Sequence, residues 1–336
     1  MLYIRADMNQ IIATGHIMRC LSIADAAREL GEETTFLLAD TQAVKLLESK
    51  GCKYIILNTA WNDMESELEI LKEIILERRI KTLLIDSYQV TERYLKELTE
   101  LTRTVYIDDV NAFHYPVSGI ICYANYHAKF QYKENYSNIE LYEGLQYTPL
   151  RKEFSKCQVK VIKENVENLL LLSGGSDNYH ILKGILESID LEKYRQIHVI
   201  CGRYNADYEE LCIKHKNSSN VFIYKSVADI KDYMEQADLA VSAGGSTLYE
   251  LCAVGTPTIS YSFADNQLDN VRQFQQDGII EYAGDVRKED IFENIKKYLE
   301  KYHLDKTLRK EKSRQMQVLI DGNGAMQIAK TLIDLK

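Results

Sequence analysis

The chain has 336 residues, a net charge of −9, 46% hydrophobic and 27% charged residues, which is length enough for two domains with separate cores. The acidic balance excludes a broad nucleic-acid-binding face, which needs a basic surface, so a phosphate would have to be held by backbone groups and a few side chains. No apolar run approaches the ~20 residues of a membrane span, the start MLYIRADMN turns polar too soon for a signal peptide, and seven scattered cysteines without a CxxC pair predict reduced thiols in a cytoplasmic chain.

Leu2 to Ile4 read as a strand, with Arg5-Ala6-Asp7 at its carboxyl end. After the loop MNQIIATG, Gly15-His16 stands at the mouth of a helix whose apolar face is Ile17, Leu21 and Ala24, and Gly31 stops it. Ligands of open α/β sheets bind beyond the carboxyl ends of strands, so Arg5, Asp7, Gly15 and His16 fall where chemistry is expected. A histidine at a helix N-terminus feels the positive end of the dipole, which favours the neutral imidazole that a general base needs; the plain alternative is that His16 only caps the helix.

Strand and helix then alternate: strands at 35–39, 54–57, 83–85, 105–107 and 120–122, helices at 41–49, 65–78 and 91–101. The helix at 65–78 reads as a solvated, charged face. Asp86-Ser87-Tyr88, Asp108-Asp109 and Asn125-Tyr126-His127 follow successive strands, on one rim. No further ligand stands at a defined spacing from Asp108-Asp109, so no metal and no cofactor are expected. From Tyr147 to about Asn165 periodicity fades, and the domain boundary is placed there: 1–150, then 165–320, with 321–336 as a C-terminal helix that returns to the first domain.

In the second half Leu169 to Leu172 form a strand that runs into Ser173-Gly174-Gly175-Ser176-Asp177. Strands follow at 197–201 and 221–224, with a short helix at 230–236. The most informative stretch is LAVSAGGSTLYELCAVGTP, from Leu239 to Pro257. An apolar strand meets Gly244-Gly245, Ser246 or Thr247 caps a helix, Leu248, Leu251 and Cys252 give it an apolar stripe, and Gly255 and Pro257 end it. Free N–H groups at the positive end of such a helix make an anion site, and Glu250, one turn in, is placed to accept hydrogen bonds from ribose hydroxyls. After a strand at 258–263, Ala264-Asp265-Asn266-Gln267 reads as its polar end. A charged helix starts at Lys288, and Asp321 to Gly324 is a turn before a last amphipathic helix with Ile328, Leu332 and Ile333.

LAVSAGGSTLYELCAVGTP resembles the nucleotide-binding helix of UDP-sugar-dependent GT-B enzymes of the MurG type. RADMNQIIATGHIMRCLSIADA, together with IDSY, IDD, NYHA and LRKEF in that order, resembles the PseG family, UDP-sugar hydrolases of the pseudaminic acid pathway. The resemblance covers nearly the whole chain and implies an α/β, GT-B-like fold of two Rossmann-like, doubly wound domains facing a central cleft. It implies release of UDP from a UDP-linked 2,4-diacetamido-2,4,6-trideoxyhexose, with His16 activating water and with Tyr88 near it and Asp7 after the first strand as further catalytic residues. By the same resemblance Gly15, Gly174, Gly175, Ser176, Gly244, Gly245, Ser246, Thr247 and Glu250 hold the nucleotide, the turn around 221–227 receives the uracil, and Arg5, Asn125, Asn266 and Gln267 contact the substrate. The partner implied is a UDP-sugar; oligomeric state is left open. A MurG-like inverting glycosyltransferase and a non-catalytic nucleotide-sugar-binding protein are the alternatives.

Overall fold

A computed structural model describes residues 1–12, 14–227 and 229–334, which form two compact units. The first comprises Met1–Lys152 and the chain from Gly322 onward; the second is Glu153–Asp321.

The first unit runs β1 (Leu2–Ala6), α1 (Gly15–Glu29), β2 (Thr34–Leu38), α2 (Val44–Ser49), β3 (Lys53–Ile56), α3 (Leu68–Arg78), β4 (Thr82–Asp86), α4 (Glu92–Thr99), β5 (Arg103–Ile107), β6 (Gly119–Cys122), α5 (Tyr132–Asn135) and β7 (Glu140–Glu143). Its strands make one parallel sheet in the order β3-β2-β1-β4-β5-β6-β7. Every residue of β1, β2 and β4 is buried. Helices cover both faces of such a sheet, so its central strands read as unbroken apolar runs. β7, with the sequence ELYE, lies at the edge and is only half buried, which is why it carries no apolar run.

The second unit runs β8 (Asn168–Leu172), α6 (Ile181–Ser188), β9 (Gln196–Cys201), α7 (Tyr208–Lys214), β10 (Val221–Lys225), α8 (Ile230–Gln236), β11 (Leu239–Ala243), α9 (Thr247–Val254), β12 (Thr258–Ser262), α10 (Asp265–Gln276), β13 (Glu281–Asp285), α11 (Ile291–Leu304) and α12 (Lys306–Leu319). The parallel sheet order is β10-β9-β8-β11-β12-β13. Both sheets therefore reverse direction of winding beside their first strand, at the β1/β4 and β8/β11 neighbours. These are the switch points where doubly wound sheets open a crevice.

The last helix, α13 (Gly324–Asp334), packs on α1 with Ile328, Ala329 and Leu332 fully buried. Gly324 is needed at that junction: a Cβ would lie 2.1 Å from the Thr148 carbonyl oxygen. Two expectations are corrected. The charged segment after Lys288 is two helices, because Asp305 caps a new one by accepting from the Leu308 N–H at 2.8 Å. The segment at 65–78 is no simple solvated face: it opens with a 3₁₀ turn, Met64–Glu67, and Glu67 is fully buried.

Candidate functional site

α1 begins at Gly15, where an added Cβ would meet nothing within 4 Å, and Thr14 is its N-cap without a side-chain bond. His16, Arg19 and Cys20 stand three and four residues apart, so they share one face of the helix. That face meets the carboxyl end of β4. The sheet places β4 directly beside β1, and its last residue, Asp86, receives all three side chains. His16 Nδ1 lies 2.6 Å from Asp86 Oδ1, Arg19 grips both oxygens with Nε at 2.6 Å from Oδ2, and the Cys20 thiol reaches Oδ2 at 3.4 Å. Instead of capping the helix, His16 points its ring at this carboxylate.

Burial by itself would raise the Asp86 carboxyl, but the charge of Arg19, then that of His16, and the hydrogen bonds from both overcome it and hold the group well below the usual carboxylate range. An ionised carboxylate only accepts. The contact with Asp86 is therefore one that an Nδ1–H donor makes. Among the described residues, no protein group bonds Nε2. An imidazole held by a carboxylate at one nitrogen, with the other open, is the arrangement of a general base.

Tyr88 stands with its ring edge-on to His16, centroids 4.7 Å apart, and donates to Asp109 Oδ2 at 3.0 Å. It is 43% exposed, and burial of the rest raises its phenol further above the usual range. At neutral pH it is a donor and not a base. Arg19 Nη1 extends the cluster to Tyr123 Oη at 2.6 Å and Asp109 Oδ2 at 3.3 Å. The ends of β4, β5 and β6, or the turns after them, thereby converge on one guanidinium and one imidazole.

Arg5 and Asp7 belong to a different network. The Arg5 guanidinium is fully buried, with Nε and Nη2 each 2.7 Å from the two oxygens of Glu67 and Nη1 on Asp7. Tyr94 also donates to Glu67, at 2.7 Å. Arg5 has no surface left for a substrate, so the substrate-contact expectation for it is corrected: it fixes Asp7. The Asp7 carboxylate also accepts from the Ala39 N–H at 2.8 Å, and its bonds go to Arg5 and Ala39, not to His16. Burial raises the Asp7 carboxyl above its ordinary value despite Arg5. Asn125 sits partly buried just after β6. Asp108 turns inward, to the Tyr115 and Tyr132 hydroxyls and the N–H groups of Val110 and Asn111. Among the described residues no group of three or more His, Cys, Asp or Glu is placed to hold a metal ion.

In the second unit, the two glycines between β11 and α9 have different jobs. A Cβ on Gly244 would lie 2.3 Å from Val271 Cγ1 of α10, and its N–H is spent on the Tyr261 carbonyl at 2.8 Å. Gly244 is a packing glycine, which corrects its assignment to nucleotide contact through close backbone approach. Gly245 has nothing within 4 Å of its Cβ position. Among the described residues, the N–H groups of Gly245, Ser246 and Thr247 donate to no protein carbonyl, and Ser246 makes no side-chain cap. They form the open positive end of α9, with Glu250 one turn along. Gly244→Ala should therefore lower stability by about 1–3 kcal/mol through overpacking, whereas Gly245→Ala should stay within about 0.5 kcal/mol. Thermal unfolding of the two variants checks this; equal losses would show that the two positions are not distinct.

The other glycine turn is built differently. Gly174 is at φ +79°, and a Cβ on Gly202 would fall 2.1 Å from the Gly174 carbonyl oxygen, so the turn rests on the end of β9. Asp177 accepts from the Ile181 and Leu182 N–H groups at 2.9 and 3.0 Å and so occupies the start of α6. Gly174, Gly175 and Ser176 thus face no open helix end, and any nucleotide contact there is through the turn alone. Asn266 and Gln267 lie in the first turn of α10, not in a loop. Gln267 is buried, and its Oε1 accepts from the Phe263 N–H at 3.0 Å, leaving its amide nitrogen as the open donor; Asn266 is exposed.

The functional partners that sequence reading left without a role are Asp86 and Arg19. The spacing His16-x-x-Arg19-Cys20 and the run ending β4 were their only local signal. No helix among the described residues is long and apolar enough to cross a membrane.

The glycosyltransferase family 28 C-terminal domain matches residues 169–332. An uncharacterised protein of Methanocaldococcus jannaschii is 26% identical over 73% of this chain and 52% of its own length. The spore coat polysaccharide biosynthesis protein SpsG of Bacillus subtilis is 22% identical over 96% of this chain and 94% of its own. A Helicobacter pylori protein named as pseudaminic acid cytidylyltransferase and UDP-2,4-diacetamido-2,4,6-trideoxy-beta-L-altropyranose hydrolase is 23% identical over 84% of this chain. This chain spans about half the length of that protein, 48%, and of the archaeal one. Among solved structures, MurG of Acinetobacter baumannii superposes with a TM-score of 0.71 over 99% of both chains at 11% identity. With two parallel α/β units, this establishes the GT-B fold.

Proposed function

We propose, from the premise that this chain belongs to the SpsG- and PseG-like family of the GT-B superfamily, that it is a UDP-sugar hydrolase of nonulosonic acid or surface polysaccharide synthesis. The substrate proposed is a UDP-linked 2,4-diacetamido-2,4,6-trideoxyhexose, as in the name of the Helicobacter pylori relative. The observation that carries the reading is the 2.6 Å contact between His16 Nδ1 and Asp86. It leaves Nε2 of the same ring with no protein partner among the described residues, as the proton acceptor of this proposal requires. A water oxygen attacks C1 of the sugar, its proton passes to His16 Nε2, and the C1–O bond breaks with its electron pair leaving on UDP. In the second unit, the nucleotide diphosphate is proposed to bind the N–H groups of Gly245, Ser246 and Thr247 at the positive end of α9, with the Gln267 amide as a further donor. Glu250 accepts from the ribose hydroxyls.

Incubation with UDP-sugars and no acceptor, following UDP by chromatography, tests this directly. Steady UDP release supports hydrolysis. A second reading, a MurG-like transferase, draws on the family 28 match and the MurG superposition; release that appears only when an acceptor is added would choose it. Glu250→Ala should weaken UDP binding at least ~10-fold, since hydrogen bonds to a charged group contribute roughly 1.5–3 kcal/mol. Calorimetric titration measures it, and an unchanged affinity in a folded variant would move the ribose site elsewhere.

A further inference from the structure

Arg19 makes more bonds at this centre than any residue to which sequence reading gave a role. It grips both Asp86 oxygens and, with Nη1, joins Asp86 to Tyr123 after β6 and Asp109 after β5. The guanidinium is a planar fork that matches a carboxylate at two points. Its Nη2 and the His16 Nδ1 both reach Asp86 Oδ1 and lie 3.1 Å apart, as two donors that share one acceptor. The groups facing His16 are Asp86 from β4, Tyr88 following it, and Arg19 from its own helix; Cys20, Asp109 and Tyr123 stand behind them.

We propose that Arg19 is the positioning residue of this centre: by gripping Asp86 at two points and balancing its charge, it keeps His16 in the neutral form with the proton on Nδ1 and Nε2 bare. The physical reason is charge count. Asp86 is 1% exposed and its side chain fully buried. A buried carboxylate with no cation either takes a proton or draws one onto its neighbour. Without the guanidinium, the neighbour is His16, and an imidazolium cannot accept a proton from water. Arg19 touches no reacting atom in this scheme; it acts through Asp86. The inference rests on the hydrolase reading only for its kinetic consequence.

The test is ¹⁵N NMR of histidine-labelled protein, wild type against Arg19→Gln, across a pH range of about 5–9, together with UDP release. In the wild type, His16 should show the Nδ1–H tautomer at neutral pH. In Arg19→Gln it should take up its proton at a pH higher by about one unit or more. Turnover at neutral pH should fall at least ~10-fold, with KM within about 3-fold, and should recover as pH rises. Millimolar guanidinium added to Arg19→Ala should restore part of the rate. Arg19→Lys covers failure of the glutamine variant to fold: it keeps the charge without the two-point grip, so His16 should exchange between tautomers. A wild-type His16 titration and tautomer in these variants overturns the proposal, even where thermal stability drops. If wild-type protein releases UDP from no UDP-sugar, the hydrolase reading fails, while the NMR result still decides the role of Arg19.

Discussion

His16→Asn should fold, bind UDP with nearly wild-type affinity and lose about 10²–10⁴ in turnover, the usual contribution of a positioned general base. Asparagine keeps a side chain of similar reach with a donor for Asp86, so the buried carboxylate is not stripped of that partner. It has no basic lone pair to replace Nε2. The nucleotide groups proposed at Gly245 to Thr247 and Glu250 belong to the second unit, so UDP affinity separates binding from chemistry. The loss should appear in kcat with little change in KM. Rate and circular dichroism of the purified variant decide it. If turnover persists while stability falls, His16 serves the start of α1 only, and a base must be sought elsewhere. Tyr88 is a poor candidate, because burial raises its phenol above an already high value.

Glu67→Gln should destabilise the first unit by about 3–5 kcal/mol, the usual cost of breaking one side of a buried ion pair. Arg5 and Glu67 are both fully buried and meet at two points of 2.7 Å. Burial opposes the charge on Arg5, and Glu67 and Asp7 together outweigh it. Once the carboxylate at position 67 is replaced by an amide, the guanidinium keeps only Asp7 as an ionised partner. A loss of that size is a large fraction of the roughly 5–15 kcal/mol that holds a typical domain folded. Denaturant unfolding measures it. The double variant Arg5→Met/Glu67→Leu should recover part of the loss, because paired hydrophobic replacements of buried ions are often close to neutral. A single variant within about 1 kcal/mol of wild type would show that the pair adds nothing net.

The local pattern of the chain determined most of its elements. Buried parallel strands such as Leu169–Leu172 and Leu239–Ala243 are apolar almost throughout because helices cover both faces, and glycines mark the helix ends at Gly31 and Gly255, both at φ +79°. Alternation of these elements dictated an α/β class with two doubly wound sheets. Elements whose pattern does not announce burial stayed hidden: the edge strand β7, the helix α7, the strand β13 and the whole of α10, whose first turn reads as a loop because Asp265, Asn266 and Gln267 are polar.

The site divides in the same way. His16 and Tyr88 stand out by position, at a helix start and beyond a strand end, and by likeness to a family. What they do was decided by contacts between residues far apart in the chain. Asp86 lies seventy positions after His16, and only the order β2-β1-β4 brings them together. Gly244 and Gly245 are identical letters, and the packing of Val271 alone makes one structural and the other open. Glu67 reads as one more charge on a solvated helix until Arg5 is found beside it in the core. Periodicity and turn chemistry act over a few residues, so a sequence carries them openly. The pairing of buried charges and the fit of a side chain against a glycine depend on sheet order and helix packing, and these exist only once the chain has folded.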